Sequence, residues 1–320
     1  MSVCLLLFVK HTLYRFHCLF SLSYTHTYNR YDANIIFISH EWAGWNHPDP
    51  HGTQIRTFLK TMKRLQTGKI PIVTTNPTQA RLNGRSHITR SAEWKEILDN
   101  AYIWFDWASM PQPAAEPKNS TKKEEMAADL TNAVRSIPAY IERSDFVAIV
   151  APGCLHADRR NPKTKLRAKM CFRTWRGRGW CVLEMFASFL SREKQHPVLL
   201  IRSSSNAPQW LSSMQTQRLA VGTCNFTCCQ RNHVFSGKVV TCDRIITRSI
   251  LHTMIESKID HHFQQLDILN ARWFVCFKNW WLRGLPEEKE DEDEEEMETD
   301  DNNKDDDESA IMINLLKALR

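Results

Sequence analysis

Short apolar runs alternate with segments of helical periodicity along the first 205 residues. Runs of β-branched and aromatic residues, typical of buried parallel strands, lie at 33–39, 101–105, 145–150 and 196–201. Apolar positions recur at helical spacing between these runs, at 53–65, 92–100 and 122–141. This alternation predicts an α/β fold in which a parallel sheet carries helices on both faces.

Three stretches interrupt the alternation. Gly68 and Pro71 begin an insertion at 66–91, in which residues 69–74 are expected to add a short strand. Residues 112–121, rich in Pro, Ala and Lys, and the basic residues 155–178 are both predicted to be loops.

Composition divides the chain into four predicted segments. They are a poorly ordered leader at 1–30, the α/β domain at 31–205, a mostly helical extension at 206–285 and a disordered acidic tail at 286–320. The tail holds 16 acidic and four basic residues, whereas the whole chain has 36 acidic and 42 basic residues. The preceding residues therefore carry a net charge of +18, which favours polyanions such as nucleotides, nucleic acid or anionic lipid.

The ten cysteines are scattered and no secretory signal precedes them, so we expect a cytoplasmic protein with reduced thiols. The apolar run at 5–9 is too short to cross a bilayer, and no membrane span is predicted. A transit peptide within residues 1–30 stays open as an alternative.

Glu184 is the single charge between Trp180 and Leu190. A helix that is apolar on nearly every side is a buried helix, and a buried carboxylate is costly unless it is paired or used. Trp180 lies one helical turn earlier and shares its face. Glu184 is therefore a candidate catalytic residue. The alternative is that it complements the helix dipole or pairs with an arginine.

Four motifs occur in one order along the chain. They are Ile36-Phe37-Ile38-Ser39-His40, the segment 104–111 (Trp-Phe-Asp-Trp-Ala-Ser-Met-Pro), the segment 136–145 and Trp180-Cys181-Val182-Leu183-Glu184. Together they resemble the TIR (Toll/interleukin-1 receptor) family across residues 33–203. The resemblance implies a flavodoxin-like sheet, and an intracellular role in signalling or defence.

In enzymatically active TIR domains, the glutamate of the last motif is the catalytic residue of NAD⁺ cleavage. The resemblance therefore implies that Glu184 releases nicotinamide from NAD⁺, leaving ADP-ribose or a cyclised form of it; NAD⁺ is the substrate, with no separate cofactor. Cleavage of this bond passes through an oxocarbenium-like state, and nicotinamide leaves as a neutral ring. One carboxylate that orients the ribose and stabilises positive charge could suffice.

The remaining pocket candidates come from the loops around these motifs. By resemblance to the family, Ser39, His40, Asp106 and Trp107 line the nucleotide pocket. The nine basic residues of 159–178, among them Arg159, Arg176 and Arg178, could hold a pyrophosphate, with a solvated basic loop as the alternative. Trp42 and Trp45 could stack on an adenine or nicotinamide ring, with core packing as the alternative. Trp180, which shares the face of Glu184, is a further pocket candidate. The glycines at 177 and 179 would let the backbone approach a ligand closely.

Two other functions stay open. Many TIR domains are adaptors, so homotypic self-association without catalysis is the first alternative. The basic segment 159–178 also contains Phe172 and Trp175, a composition that suits nucleic-acid binding.

No metal site is predicted. His47, Asp49 and His51 are irregularly spaced. The densest thiol group consists of Cys224, Cys228, Cys229, His233 and Cys242. Structural zinc usually has two closely spaced ligand pairs, so this single group favours ordinary thiols over zinc.

Overall fold

The protein is described by a computed structural model. It describes residues 4–8, 16–19, 34–83, 86–99, 101–110, 122–235 and 238–286. The predicted loop at 112–121 and most of the predicted tail at 286–320 lie outside these residues.

The strands of the described residues are β1 (Cys4–Phe8), β2 (Phe16–Leu19), β3 (Asn34–Ser39), β4 (Ile72–Thr74), β5 (Ile88–Arg90), β6 (Ala101–Phe105), β7 (Phe146–Val150), β8 (Cys154–Arg160), β9 (Arg167–Met170), β10 (Val198–Ile201), β11 (Gln209–Leu211), β12 (Val234–Phe235) and β13 (Lys238–Val239). The helices are α1 (Thr53–Gln66), α2 (Pro77–Asn83), α3 (Ser91–Asp99), α4 (Asp106–Ser109), α5 (Lys122–Arg135), α6 (Ile137–Glu142), α7 (Phe172–Trp175), α8 (Gly179–Leu190), α9 (Met214–Gln217), α10 (Thr227–Gln230), α11 (Asp243–Gln264) and α12 (Ile268–Leu282). Within these residues, no helix combines the length and the apolar character needed to cross a membrane.

The molecule is mixed α/β and is built on a mostly parallel sheet. The strand order is β11-β10-β7-β3-β6-β1-β2. The central strands β6, β3, β7 and β10 are parallel to one another, whereas β11 and β1 pair antiparallel at the two sides. Numbered along the chain, the parallel strands follow the order 2-1-3-4, which is consistent with a flavodoxin-like fold.

The four predicted strands of the parallel sheet are confirmed to within two residues. Each of these strands is a nearly continuous apolar run, as expected for a strand that is buried on both faces of a sheet. This pattern is visible in the sequence. At both sides the sheet is wider than predicted. β1 and β2 lie within the segment expected to be a leader, and β11 continues the sheet beyond residue 205.

The prediction that residues 155–178 form a loop is wrong. β8 and β9 pair antiparallel there, and α7 follows them. Exposed side chains alternate along β8 with buried or half-buried ones, and three of its seven residues are charged, so the strand lacks the apolar run that marks the buried strands. The hairpin turn ends at Lys165, which has a positive φ of 59°.

Helices cover both faces of the sheet. α1 and α3 pack Phe58, Met62 and Trp94 against one face. The other face is covered by α6 and α8, and α11 and α12 pack over α8 in turn. α8 is therefore buried between the sheet and the C-terminal helices, which explains its almost uninterrupted apolar sequence.

Candidate functional site

A cavity of about 450 Å³ opens at the carboxyl ends of β3 and β6. This is the edge at which parallel α/β sheets bind ligands. The side chains that line it are mainly aromatic, basic and acidic: His40, Trp42, Trp45, Asp106, Met110, Leu130, Val134, Ile137, His156, Arg159, Arg178, Trp180, Cys181, Glu184, Thr227 and Asp243, together with Gly44. Its volume is in the range of pockets that bind small molecules.

Glu184 and Trp180 are the two residues of α8 that are not fully buried. They are separated by one helical turn, so both side chains leave the helix on the side that faces the cavity. Glu184, the one acidic or basic residue of the helix in the stretch Trp180 to Leu190, therefore faces the space in which a ligand would lie.

Ser39 lies beneath Glu184, at the end of β3. Its hydroxyl donates a 2.5 Å hydrogen bond to Glu184 Oε2. The indole Nε1 of the buried Trp175 donates to Ser39 Oγ at 3.2 Å. Because Ser39 Oγ accepts from the indole, its own hydrogen is directed at the carboxylate.

Asp106 accepts hydrogen bonds from three neighbours. His40 Nε2 lies 3.0 Å from Oδ1, the Trp42 indole donates to Oδ2 at 2.8 Å and the Trp107 backbone N–H donates to Oδ1 at 2.7 Å. These bonds bring together the ends of the neighbouring strands β3 and β6. These three donors fix the orientation of the Asp106 carboxylate and occupy both of its oxygens.

His40 is positioned to carry a positive charge. Gln54 Nε2 donates to the carbonyl of Glu41 at 2.8 Å, which leaves Gln54 Oε1 to face His40 Nδ1 at 2.9 Å. Both ring nitrogens of His40 therefore face acceptors, and an imidazole satisfies two acceptors when it is doubly protonated. Burial alone would lower the pKa of His40, but the charge and hydrogen bond of Asp106 raise it above its ordinary value.

Glu184 and Asp106, two of the three carboxylates that line the cavity, have pKa values shifted in opposite directions. Burial raises the pKa of Glu184 to about 8, and the negative charge of Asp106 adds to this effect, whereas the Ser39 hydrogen bond opposes it. For Asp106, the cost of burial is outweighed by the charge of His40 and by its hydrogen bonds, so its pKa is lowered. Such a divided pair is a common property of sites that carry out proton or charge chemistry.

Basic and aromatic side chains form another part of the wall. Arg159 Nη2 lies 3.2 Å from Glu41 Oε1, and Arg178 donates to the hydroxyl of Thr227. His156 stays neutral, since burial and the nearby arginines lower its pKa to about 4. Its ring lies 4.8 Å from that of Trp45. The cavity therefore offers cationic and aromatic groups opposite its carboxylates.

Most of the predicted pocket residues come together in this cavity. His40, Trp42, Asp106, Arg178, Trp180 and Glu184 line it, and Ser39 supports Glu184 from below. Trp107 packs behind the wall, 5.7 Å from the Trp42 ring. Arg176 is not among the lining residues; its guanidinium lies 6.0 Å from the Phe172 ring.

Several lining residues were not among the predicted site residues. Arg159 was a candidate for pyrophosphate binding only as one of the nine basic residues at 159–178. His156 belongs to the same hairpin, and no signal in the sequence singles it out. Thr227 and Asp243 come from the C-terminal extension, which was expected to be separate from the site.

The structure gives structural roles to Gly179 and Asp49. Gly179 allows a close approach to the Phe226 ring rather than to a ligand, since a Cβ there would lie 2.1 Å from that ring. Asp49 accepts hydrogen bonds from backbone N–H groups of Thr53, Gln54 and Ile55, so it caps the start of α1.

Comparison of the chain with protein-family models, with curated proteins and with solved structures found no match.

Proposed function

We propose that the cavity binds NAD⁺ and hydrolyses the bond between nicotinamide and ribose. The reaction consumes one water and yields nicotinamide, ADP-ribose and a proton. The observation that carries this proposal is the placement of Glu184, a carboxylate bonded to Ser39 and open to a cavity of small-molecule size. The same activity is implied by the resemblance of residues 33–203 to the TIR family, and with it a role in intracellular signalling or defence.

Glu184 is the group suited to stabilise the transition state. The ribose acquires positive charge as the bond to nicotinamide breaks, and an anion beside it lowers the barrier. Asp106 is less suited to this role because three donors already hold it. Glu184 can accept a hydrogen bond from a ribose hydroxyl through the carboxylate oxygen that is not bonded to Ser39.

The raised pKa of Glu184 fits a cationic substrate. In the free protein the carboxyl is largely protonated at neutral pH, because its pKa is about 8. The nicotinamide ring of NAD⁺ carries a positive charge, and that charge beside Glu184 favours the ionised form. Substrate binding would therefore generate the anion that the reaction needs.

The other walls provide groups for the rest of the dinucleotide. Arg159 and Arg178 can pair with the pyrophosphate, and guanidinium groups bind such oxygens in bidentate fashion. Trp42, Trp45 and Trp180 offer aromatic surface for the nicotinamide and adenine rings.

The test is nicotinamide release by the purified chain, with Glu184→Gln compared to the wild type. The substitution keeps the shape and removes the charge, and we expect at least a hundredfold loss of kcat. Glu193→Gln changes an exposed carboxylate outside the cavity and serves as the matched control.

Equal turnover by the wild type and Glu184→Gln would refute the role of Glu184. Salt-sensitive oligomerisation without any turnover would instead favour a TIR-like scaffold that acts through self-association. A steep loss of nucleic-acid affinity with salt, reduced by Arg and Lys substitutions at 159–178, would favour nucleic-acid binding.

A further inference from the structure

Three cysteines and a histidine of the C-terminal extension converge behind the wall of the cavity. Cys228, Cys229, His233 and Cys242 place their sulfur or ring nitrogen atoms within 4.8 Å of one another. The sequence favoured ordinary thiols here, since the four residues do not form two closely spaced pairs. We propose that they bind one structural zinc ion in a Cys₃His site.

The distances between the sulfur atoms fit tetrahedral zinc. Cys229 Sγ lies 3.8 Å from Cys228 Sγ and 3.7 Å from Cys242 Sγ. Zinc–sulfur bonds of about 2.3 Å in a tetrahedron separate two sulfurs by about 3.8 Å. Three thiolates and one imidazole are a common ligand set of structural zinc, and soft sulfur ligands favour zinc over magnesium or calcium.

Cys224 does not belong to the site. Its sulfur contacts the backbone carbonyls of Arg176 and Ala220 at 3.7 and 3.5 Å. It belongs to the same sequence cluster but has different partners, which makes it a matched control.

His233 provides a second, independent observation. Its Nε2 is buried, and no residue that the structure describes offers it a hydrogen bond. A buried polar atom without a partner costs about 1–3 kcal/mol. A metal ion bound by the ring would give the imidazole the partner that no hydrogen bond provides.

The backbone around His233 is shaped to bring the ligands together. Asn232 and His233 both have positive φ values, 51° and 58°, which residues other than glycine rarely adopt. Two such residues in succession are costly and persist where surrounding bonds impose them. They fold the chain back so that His233 lies near the cysteines of α10.

The hairpin between His233 and Cys242 is short in the part that the structure describes. β12 and β13 are two residues each, and their paired Val234 and Val239 are both exposed. An isolated hairpin is marginally stable in water, and small elements of this kind are commonly held by a metal or a disulfide. Zinc would fix both ends of the hairpin at once.

The site also has a supporting hydrogen bond. The backbone N–H of Asp243, at the start of α11, donates to Cys228 Sγ at 3.3 Å. Bonds of this kind orient metal ligands and stabilise thiolates.

The zinc ligands are sequence neighbours of residues that line the cavity. Thr227 precedes Cys228 and accepts the hydrogen bond of Arg178. Asp243 follows Cys242 and accepts the Trp180 indole at 3.0 Å. The ion would therefore hold the two residues that orient one side of the cavity.

The test is the metal content of the full chain, purified in reducing buffer without chelator and measured by elemental mass spectrometry. We expect one zinc per chain in the wild type and in Cys224→Ser. The double variant Cys228→Ser/Cys242→Ser should retain less than about a tenth of that amount, and His233→Ala should hold zinc more weakly against a competing chelator.

A second measurement does not depend on the folding of variants. Cobalt(II) titrated into the metal-free wild-type chain should give the visible absorption bands of a tetrahedral thiolate site, saturating at one equivalent. Removal of the metal should also increase proteolysis within 231–241. These readouts are independent of NAD⁺ turnover, so failure of the proposed function would leave them unchanged.

A wild-type chain that takes up no zinc or cobalt under these conditions would overturn the proposal. A disulfide between Cys229 and Cys242 in the reduced-buffer preparation would also overturn it. So would equal zinc content in the wild type and the double variant.

Discussion

The hydroxyl of Ser39, at the end of β3, donates a 2.5 Å hydrogen bond to Glu184 in α8, 145 residues further along the chain. Trp175 fixes the direction of this bond by donating its indole hydrogen to the same hydroxyl oxygen. The bond stabilises the ionised carboxylate, whereas burial and Asp106 disfavour it. Ser39 is thus a positioning residue that adjusts the charge of Glu184.

We predict that kcat/KM for nicotinamide release rises with pH and levels off above about pH 8. This parameter reports ionisations of the free enzyme, in which burial raises the pKa of Glu184 to about 8. Ser39→Ala removes a hydrogen bond to the anion, so the rise should move to higher pH. A hydrogen bond to a charged group contributes about 1.5 kcal/mol or more, so kcat/KM at pH 7 should fall at least about tenfold.

Trp175→Phe tests the orientation of the same bond. It removes the indole that directs the Ser39 hydroxyl but keeps the hydroxyl, so its pH profile should move in the same direction as that of Ser39→Ala and by a smaller amount. A profile that is the same in Ser39→Ala and in the wild type would contradict the role assigned to Ser39.

Glu184→Gln is expected to stabilise the fold at alkaline pH while it abolishes activity. A carboxyl whose folded pKa is raised contributes stability below its unfolded pKa, near 4.5, and loses that contribution as pH rises towards 8. The glutamine has no proton to lose. The variant should therefore exceed the wild type in free energy of unfolding by about 2–3 kcal/mol at pH 8.5, allowing for the partial exposure of Glu184.

Urea unfolding of both proteins at pH 4.5 and pH 8.5 checks this difference. The two stabilities should be similar at the lower pH and should diverge at the higher one. A difference that does not change with pH would mean that the fold does not impose the raised pKa.

The parallel sheet could be predicted because its strands are short apolar runs buried on both faces. The β8–β9 hairpin could not, because its short strands are rich in charged residues and lack an apolar run, which makes them resemble a solvated loop. Site residues were found where they follow a buried strand, as His40 and Asp106 do. The contact between His40 and Asp106 depends on the pairing of β3 with β6. The apolar pattern of one strand does not specify which strand it pairs with.

The contribution of the C-terminal extension could not be predicted for a different reason. Thr227 and Asp243 reach the cavity because α11 packs on α8. That contact joins segments more than 40 residues apart and depends on the complementary shapes of two helices. The cysteine cluster likewise depends on two successive positive-φ residues, Asn232 and His233; both residue types are enriched at positive φ, but the sequence does not show that they adopt it here.

Arg178 and Arg176 provide a matched pair for substrate binding. Arg178 lines the cavity, whereas Arg176 lies over the Phe172 ring outside it. Arg178→Gln removes a charge that would pair with the pyrophosphate in both the ground and transition states, so KM for NAD⁺ should rise at least about tenfold with a smaller change in kcat. Arg176→Gln should change neither value by more than about twofold. Steady-state kinetics of both variants make the comparison, and equal effects would remove Arg178 from the binding site.

Gly179 begins α8 against the face of a buried aromatic ring. A Cβ at this position would lie 2.1 Å from Phe226, and Phe226 is 1% exposed, so its ring cannot turn outward to make room. Gly179→Ala should therefore lower the free energy of unfolding by about 1–3 kcal/mol through overpacking. Gly153→Ala is the control, since a Cβ there meets no atom within 4 Å and the stability should change by less than about 0.5 kcal/mol.

The cause of the Gly179→Ala effect can be isolated with a second substitution. Phe226→Leu makes room beside residue 179, so adding Gly179→Ala to that variant should cost less than adding it to the wild type. Thermal or urea unfolding of the four proteins measures this coupling. Additive losses would place the strain elsewhere than at Phe226. Because Gly179 precedes Trp180 at the start of the helix that carries Glu184, the same strain should also displace the cavity wall and lower kcat/KM in Gly179→Ala, with partial recovery in the double variant.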